Sequence, residues 1–353
     1  MIPVFKDEFL YFFPRRKIVK RLFGILFLYA LICSLAVAGC SRGAGDEGNA
    51  VLTIAQSMPT LNNPWYVLFA NGSKDMAKEL DAEINQVTNP ESNAWDPGTQ
   101  IGRIENLIAT NPDVISIDPT STDGINTAID EAMSKGIPVV MSGTRVSTKV
   151  NVSITADNVQ GGNLCGDYLG KRLNGKGKVA MILGTPGRDV IQNRENGFRS
   201  AISVYSDIEI VSEQVANLER AQAVSVMETI LQANPDIDAV WAANDEMALG
   251  AIEALRSAGK VGTVIVGGFD ASPDAVEAIS KGEMHFTANQ IPYEIGVRAI
   301  AVAVMIARGQ NPPAEDIELA MSIVSTENVE EYLEQQQKLQ RETIEKVKSE
   351  YGL

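Results

Sequence analysis

Histidine and cysteine are almost missing from this chain. One histidine, His285, and three cysteines occur in 353 residues. Zinc chemistry has little to use, because no Cys/His spacing repeats. His285 lies in "GEMHF", near a strand start, a poor place for a catalytic base. Phosphate loops are missing too. The stretch "GTPGRD" (184–189) follows an apolar run but matches neither a P-loop nor G-x-G-x-x-G. Positive charge is short: 30 Lys/Arg stand against 45 Asp/Glu, a net charge of −15. So acidic a surface repels nucleic acid, and otherwise serves solubility. These gaps predict a protein that is not an enzyme, holds no metal or cofactor, and has no nucleic-acid partner.

One long apolar run exists, and it stands near the start. "RRKIVKR" (15–21) is basic, and "LFGILFLYALICSLAVAG" (22–39) is apolar and ends in small residues. That order of regions is a secretory signal, although the run could nearly span a bilayer. "VAGC" (37–40) resembles the bacterial lipobox, so residues 1–39 read as signal peptide and Cys40 as the lipidated first residue of the mature chain. The expected location is the bacterial cell envelope, held by lipid in the periplasm or on the outer face of the cytoplasmic membrane. Residues 1–14 are long for an n-region and carry Asp7 and Glu8, and a misassigned start codon is one reading of them. Cys33 leaves with the signal and Cys165 has no partner, which rules out an intrachain disulfide in the mature protein. Residues 1–40 hold six Lys/Arg and two acids, so their removal takes the net charge from −15 to −19.

"SRGAGDEGNA" (41–50) is small and polar and reads as a tether. From Val51 onward a unit recurs: a short apolar run, a turn, an amphipathic helix. "VLTIAQS", "DVISIDP", "IPVVMSG", "KVAMILG", "AVWAAND" and "TVIVGGFD" have strand length without strict alternation. Strands buried on both faces look like this, and helices between them imply parallel sheets. The pattern also repeats at long range. "NPD" at 111 recurs at 234, "AID" at 128 recurs as "AIE" at 251, and Gly136 recurs as Gly259, all offset by 123. Two similar open α/β lobes follow from that spacing. Ligands of open α/β sheets sit beyond the carboxyl ends of the strands, so two facing lobes enclose a cleft.

The polar residues just after the apolar runs are Asn62, Asn63, Trp65 and Tyr66; Asp118; Thr185 to Asp189, with Arg194 on the next helix; Asn244 and Asp245; Asp270; and Gln290. Planar groups with two donors or acceptors suit vicinal hydroxyls, and an aromatic face suits sugar C–H bonds. Each also has a plainer role. Asn63-Pro64 is a good cap for a helix. Trp65 shares a helical face with Leu68, Gly72, Met76 and Leu80 and could be core. Asp118 and Asp270 could serve turns or caps.

From Val51 to Ser325 the chain resembles the ribose-binding protein family of bacterial solute-binding proteins. The resemblance is carried by "TLNNPWY" (60–66), "ITADNVQGG" (154–162), "NRENGF" (193–198), "NDEMALGA" (244–251), "VGGFDASPD" (266–274) and "NQIPYEIG" (289–296). It implies two Rossmann-like lobes joined by a three-segment hinge. Residues 51–157 with 291–318 would form the first lobe, and 158–290 with 319–327 the second. The helical tail would span 328–353. It also implies ligand contacts at Asn63, Trp65, Tyr66, Asp118, Arg194, Asn244, Asp270 and Gln290. The implied ligand is a monosaccharide or polyol bound to a monomer. The implied partner is the permease of an ABC importer, with a chemoreceptor or sensor kinase as the alternative. Two departures stand out. Asp118 replaces a frequent Asn, and Gly143-Thr144 replaces the Asp-Arg pair of ribose binders, with Arg145 one step on. The identity of the sugar is therefore open at this point. In the tail, Val329, Tyr332, Leu333, Ile344 and Val347 could form a docking stripe that the Gln run interrupts.

Overall fold

The computed structural model describes residues 51–353. The expected signal, the lipid on Cys40 and the tether lie outside the described residues. In the first lobe β1 (Leu52–Met58), β2 (Ala82–Thr88), β3 (Val114–Ile117), β4 (Val139–Ser142) and β5 (Val152–Ala156) are linked by α1 (Pro64–Glu79), α2 (Pro97–Ala109) and α3 (Asn126–Ser134). The chain then crosses into α4 (Asn158–Arg172), β6 (Lys176–Leu183), α5 (Asp189–Ile202), β7 (Asp207–Val215), α6 (Arg220–Ala233) and β8 (Ala239–Ala242). The second lobe continues through α7 (Asp245–Ser257), β9 (Ile265–Asp270), α8 (Pro273–Ser280) and β10 (Phe286–Asn289). A return crossing leads to α9 (Pro292–Ala307) and β11 (Asp316–Leu319), and a third leads to β12 (Ser322–Ser325) and α10 (Val329–Tyr351).

The sheets run β2-β1-β3-β4-β5-β11 and β7-β6-β8-β9-β10-β12. All neighbours are parallel except β10 and β12. Helices cover both faces, which is why β3, β4 and β8 are buried at every residue and carry unbroken apolar runs. In each lobe the strand order reverses beside the first strand, at β1/β3 and β6/β8. Those switch points open onto the space between the lobes.

The 123-residue repeat has a physical counterpart. Gly136 (φ +79°) and Gly259 (φ +67°) end α3 and α7 in the left-handed region. Their N–H groups bond Met133 O and Arg256 O, and the next residues, Ile137 and Lys260, bond Ala132 O and Leu255 O. Both are Schellman caps, with all four acceptors and donors offset by 123. A second likeness runs at an offset of 125 rather than 123: Asp113 and Asp238 each accept the N–H of the neighbouring first strand, from Thr53 and Lys178, at 2.7 Å. The "NPD" match is weaker as geometry. Asn111 is left-handed at φ +53°, whereas Asn234 is at φ −132°. The copies also diverge after the glycines, where a turn at Gly262 (φ +78°) precedes β9.

In each lobe one crossing helix lies directly on the first helix after the leading strand. Gly162 of α4 and Gly197 of α5 make that approach possible in the second lobe, where a Cβ on either would collide with the carbonyl of Arg194 or Val159. Helix α10 spans the two lobes. It starts beside β12 and α8 and ends against α1 and α9, where Arg298 pairs with Glu350 at 2.8 Å, Lys346 with Glu294 at 3.1 Å, and Lys348 with Glu79. Val329 and Val347 are buried and Tyr332 and Ile344 half-buried. Leu333, in the second turn of α10, is exposed, so the expected stripe lacks it. Gly197→Ala should lower stability by about 1–3 kcal/mol, since backbone carbonyls cannot yield as a side chain can. A thermal denaturation midpoint equal to wild type would contradict this packing.

Candidate functional site

Helix α1 starts at the carboxyl end of β1 because Asn63 caps it. Its Oδ1 accepts the Trp65 N–H at 2.8 Å, and Pro64 occupies the first turn, where no N–H is needed. The cap fixes where the next two side chains go. Trp65 stacks on Phe69 (5.5 Å between centroids, 18° between planes) and meets Tyr66 edge-on at 4.8 Å. It is thus both core and lining, and its indole N–H is buried without a partner. Asp118 follows β3. Its backbone is held by an N–H bond to Ser57 O at 2.9 Å and by Gln100 Nε2 donating to its carbonyl at 2.7 Å.

The second lobe supplies Arg194 and Asp270. Arg194, on α5, donates to Ala243 O at 2.5 Å and to Asn158 Oδ1 at 3.0 Å, and its guanidinium lies 3.9 Å from the Phe269 ring centroid. Asp270 Oδ1 is 3.6 Å from Arg194 Nη1 and accepts from Gln290 Nε2. Asp270 sits at φ +133°, a conformation L residues seldom take, followed by Ala271 at φ +53°. It is therefore not a helix cap; Ser272 caps α8 instead. Asn244 caps α7 through Met247 N at 2.9 Å while its Nδ2 faces Leu218 O at 3.4 Å.

These side chains meet in one narrow cavity of about 40 Å³, lined by Asn63, Trp65, Tyr66, Asp118, Arg194, Asn244, Asp270 and Gln290. Asp245 is elsewhere, fully buried under Ser272 N (2.7 Å) and Thr287 Oγ1 (2.7 Å), a structural carboxylate. Arg145 does not reach the cavity either. It turns outward to Asp316 and Glu318, both at 3.0 Å.

Sequence reasoning did not single out Trp95, Thr144 and Arg188 as lining residues, nor the apolar Val190, Ile191 and Leu218. Arg188 lay within the polar segment after the β6 run, so its position carried a signal. Trp95 comes from the loop before α2 and carried none. Arg188 reaches across to the first lobe, where its Nη2 donates to Thr144 Oγ1 (2.6 Å), Asp118 Oδ1 (3.2 Å) and Tyr66 OH (3.4 Å). Its guanidinium also lies 4.9 Å from the Trp95 ring centroid.

Burial governs the charges here. It lifts the Asp118 carboxyl to about 7, even with Arg188 beside it pulling the other way. It raises Asp270 well above the usual carboxylate range against the pull of Arg194, and it lowers Arg194 from its ordinary value. Tyr66 is pushed up, first by burial and then by the Asp118 charge. Arg188 Nε and Arg194 Nε are both buried and unpartnered. The cavity thus offers unused donors on two guanidiniums and an indole, beside carboxylates with accepting capacity and an aromatic wall. That is a set of groups for a ligand with many hydroxyls.

Comparison with known proteins bears on the fold and the family. Residues 54–311 match the model of a family described as periplasmic binding protein domain. The chain is 34% identical over 283 residues to the ribose import binding protein of Salmonella typhimurium, covering 79% of this chain and 93% of that one. It is 32% identical over 296 residues to the ribose import binding protein of Bacillus subtilis, covering 84% and 94%. Among solved structures, it is similar to an ABC transporter solute-binding protein from Actinobacillus succinogenes with bound D-allose. That match has a TM-score of 0.76 and 32% identity over 80% of this chain and all of the other. A solute-binding protein from Bacillus halodurans with bound myo-inositol gives a TM-score of 0.74 and 30% identity, covering 82% and 98%. The chain belongs to the periplasmic binding protein family, a family of exported substrate-binding proteins rather than enzymes.

Proposed function

We propose that this protein binds a neutral monosaccharide or polyol between its lobes and presents it to the permease of an ABC-type importer. The observation that carries the reading is the convergence of Trp65, Asp118, Arg194, Asn244, Asp270 and Gln290 on one cavity, with donors left unused among the described residues. In this reading the first lobe supplies the stacking wall and the second grips hydroxyls through Arg194 and Asp270. Residues 51–157 with 291–318 move against 158–290 with 319–327 about the three crossings. A ligand that touches both lobes favours the closed form by its differential affinity, and the closed form is what the permease reads. Relatives named for ribose import, and neighbours holding D-allose and myo-inositol, support the class. Cys40, lipidated after signal cleavage, ties the protein to the membrane.

A thermal-shift screen against pentoses, hexoses, polyols and amino acids tests the class. A sugar or polyol at 100 times its Kd should stabilise by about 2.7 kcal/mol; stabilisation by amino acids alone would overturn the reading. Trp65→Ala should cost at least ~30-fold in affinity, about 2 kcal/mol, in a protein that stays folded. Unchanged affinity in titration calorimetry would return Trp65 to the core alone. Cys40→Ser should move the protein from the membrane fraction to the soluble fraction, and an anchored variant would contradict lipidation.

The raised Asp118 carboxyl gives a pH dependence with a definite sign. Below the usual carboxylate range both folded and unfolded chains hold its proton. From there to about 7 only the folded chain does, so its contribution is full at low pH and is lost as pH rises through about 7. The ligand-free melting temperature should therefore fall between pH 5 and 8, and Asp118→Asn should flatten part of that fall. An unaltered slope in the variant would exclude Asp118 as its source.

A further inference from the structure

We propose that Arg188 is a specificity-determining residue of the cleft. The second lobe delivers it across the gap to recognise ligand hydroxyls beside Asp118. This deepens the sugar or polyol reading and rests on it. The first lobe has no cation of its own at this end of the cavity, since Arg145 is engaged outside by Asp316 and Glu318. Nor does it have room for a side chain at residue 143. Gly143 is at φ +79°, and a Cβ there would collide with the Asp118 carboxylate. The carboxylate has taken that space, and the guanidinium facing it comes from the other lobe.

Arg188 is placed there by its neighbours. Gly187 O accepts from Thr122 N at 3.0 Å, Asp189 N donates to Thr122 Oγ1 at 2.9 Å, and Asp189 Oδ1 accepts from Arg145 N at 3.2 Å. The whole turn before α5 is thus seated on the first lobe. Arg188 is 5% exposed, and its Nε–H has no acceptor among the described residues. An oxygen of the ligand is the acceptor that would satisfy it. A hydroxyl that accepts from Arg188 Nε and a vicinal one that donates to Asp118 would form a two-point contact. Such a contact selects a neutral polyhydroxyl compound by the configuration of one hydroxyl pair. It is complete only when the lobes are closed, because its two halves belong to different lobes.

The test is titration calorimetry of wild type, Arg188→Met, Arg188→Lys and Thr122→Ala against a panel of epimeric pentoses and hexoses, deoxy sugars and polyols. Folding of each variant is checked by circular dichroism. Arg188→Met should weaken the best ligand about 10- to 100-fold and change the order of preference among epimers. Arg188→Lys should regain part of the affinity without the original order, because an ammonium lacks the planar fork. Thr122→Ala removes a lobe-to-lobe bond outside the cavity and should shift all ligands by one common factor. If Arg188→Met also keeps the wild-type order, with every affinity equal or shifted alike, Arg188 is only a clamp and the proposal fails alone. The Arg188→Lys comparison serves if the methionine variant does not fold. A wild type that binds no sugar or polyol overturns the sugar reading and this proposal together.

Discussion

Two guanidiniums and two carboxylates are held almost out of water between the lobes, and neither pair is complete. Arg194 and Asp270 stand 3.6 Å apart, and each arginine keeps a buried N–H without an acceptor. Buried charges are costly unless fully paired and hydrogen-bonded, and apolar side chains of the same volume would often be more stable. The surrounding structure has to hold them against that cost. It does so with rigid parts: Asn63 and Asn244 caps at the helix starts, the α4/α5 contact at Gly162 and Gly197, and Gln100 and Ser57 around the Asp118 backbone.

The two lobes share a plan but divide the labour. Their sheets have the same order, and the helices after their third strands, α3 and α7, end in matching caps. Yet the wall contributed by the first lobe is aromatic, with Trp65, Tyr66 and Trp95, while the second lobe contributes both arginines. A duplicated framework therefore presents two unlike surfaces to one ligand. That asymmetry suits a ring with apolar faces and a polar edge.

Much of the fold was legible before the structure. Doubly buried parallel strands write themselves as unbroken apolar runs, and the glycines at 136 and 259 mark helix ends by a backbone requirement that few residues meet. The residues after those runs were legible for the same reason, since the carboxyl ends of strands are where open sheets bind. Trp95 was not, because a loop side chain reaches the cavity by tertiary placement that no periodicity encodes. Arg188 lay in a visible segment, but its partner is on the other lobe, and contacts between lobes leave no local pattern. Arg145 had the converse problem. It sits at the right place in sequence, and two acids of β11, far along the chain, draw it outward.

The tail has a mechanical meaning that its sequence hid. A helix of 23 residues is a rod about 35 Å long, and it cannot stretch. One end of α10 is fixed beside β12 and the other is fastened to α1 and α9, so the rod works as a strut across the crossings. Under the proposed closure, rotations that keep its anchors at constant separation preserve the ion pairs of Arg298 and Lys348, and rotations that lengthen the span would break them. In the proposed closure the strut thereby narrows the directions open to the lobes, and it leaves the chain's last residue on the first lobe.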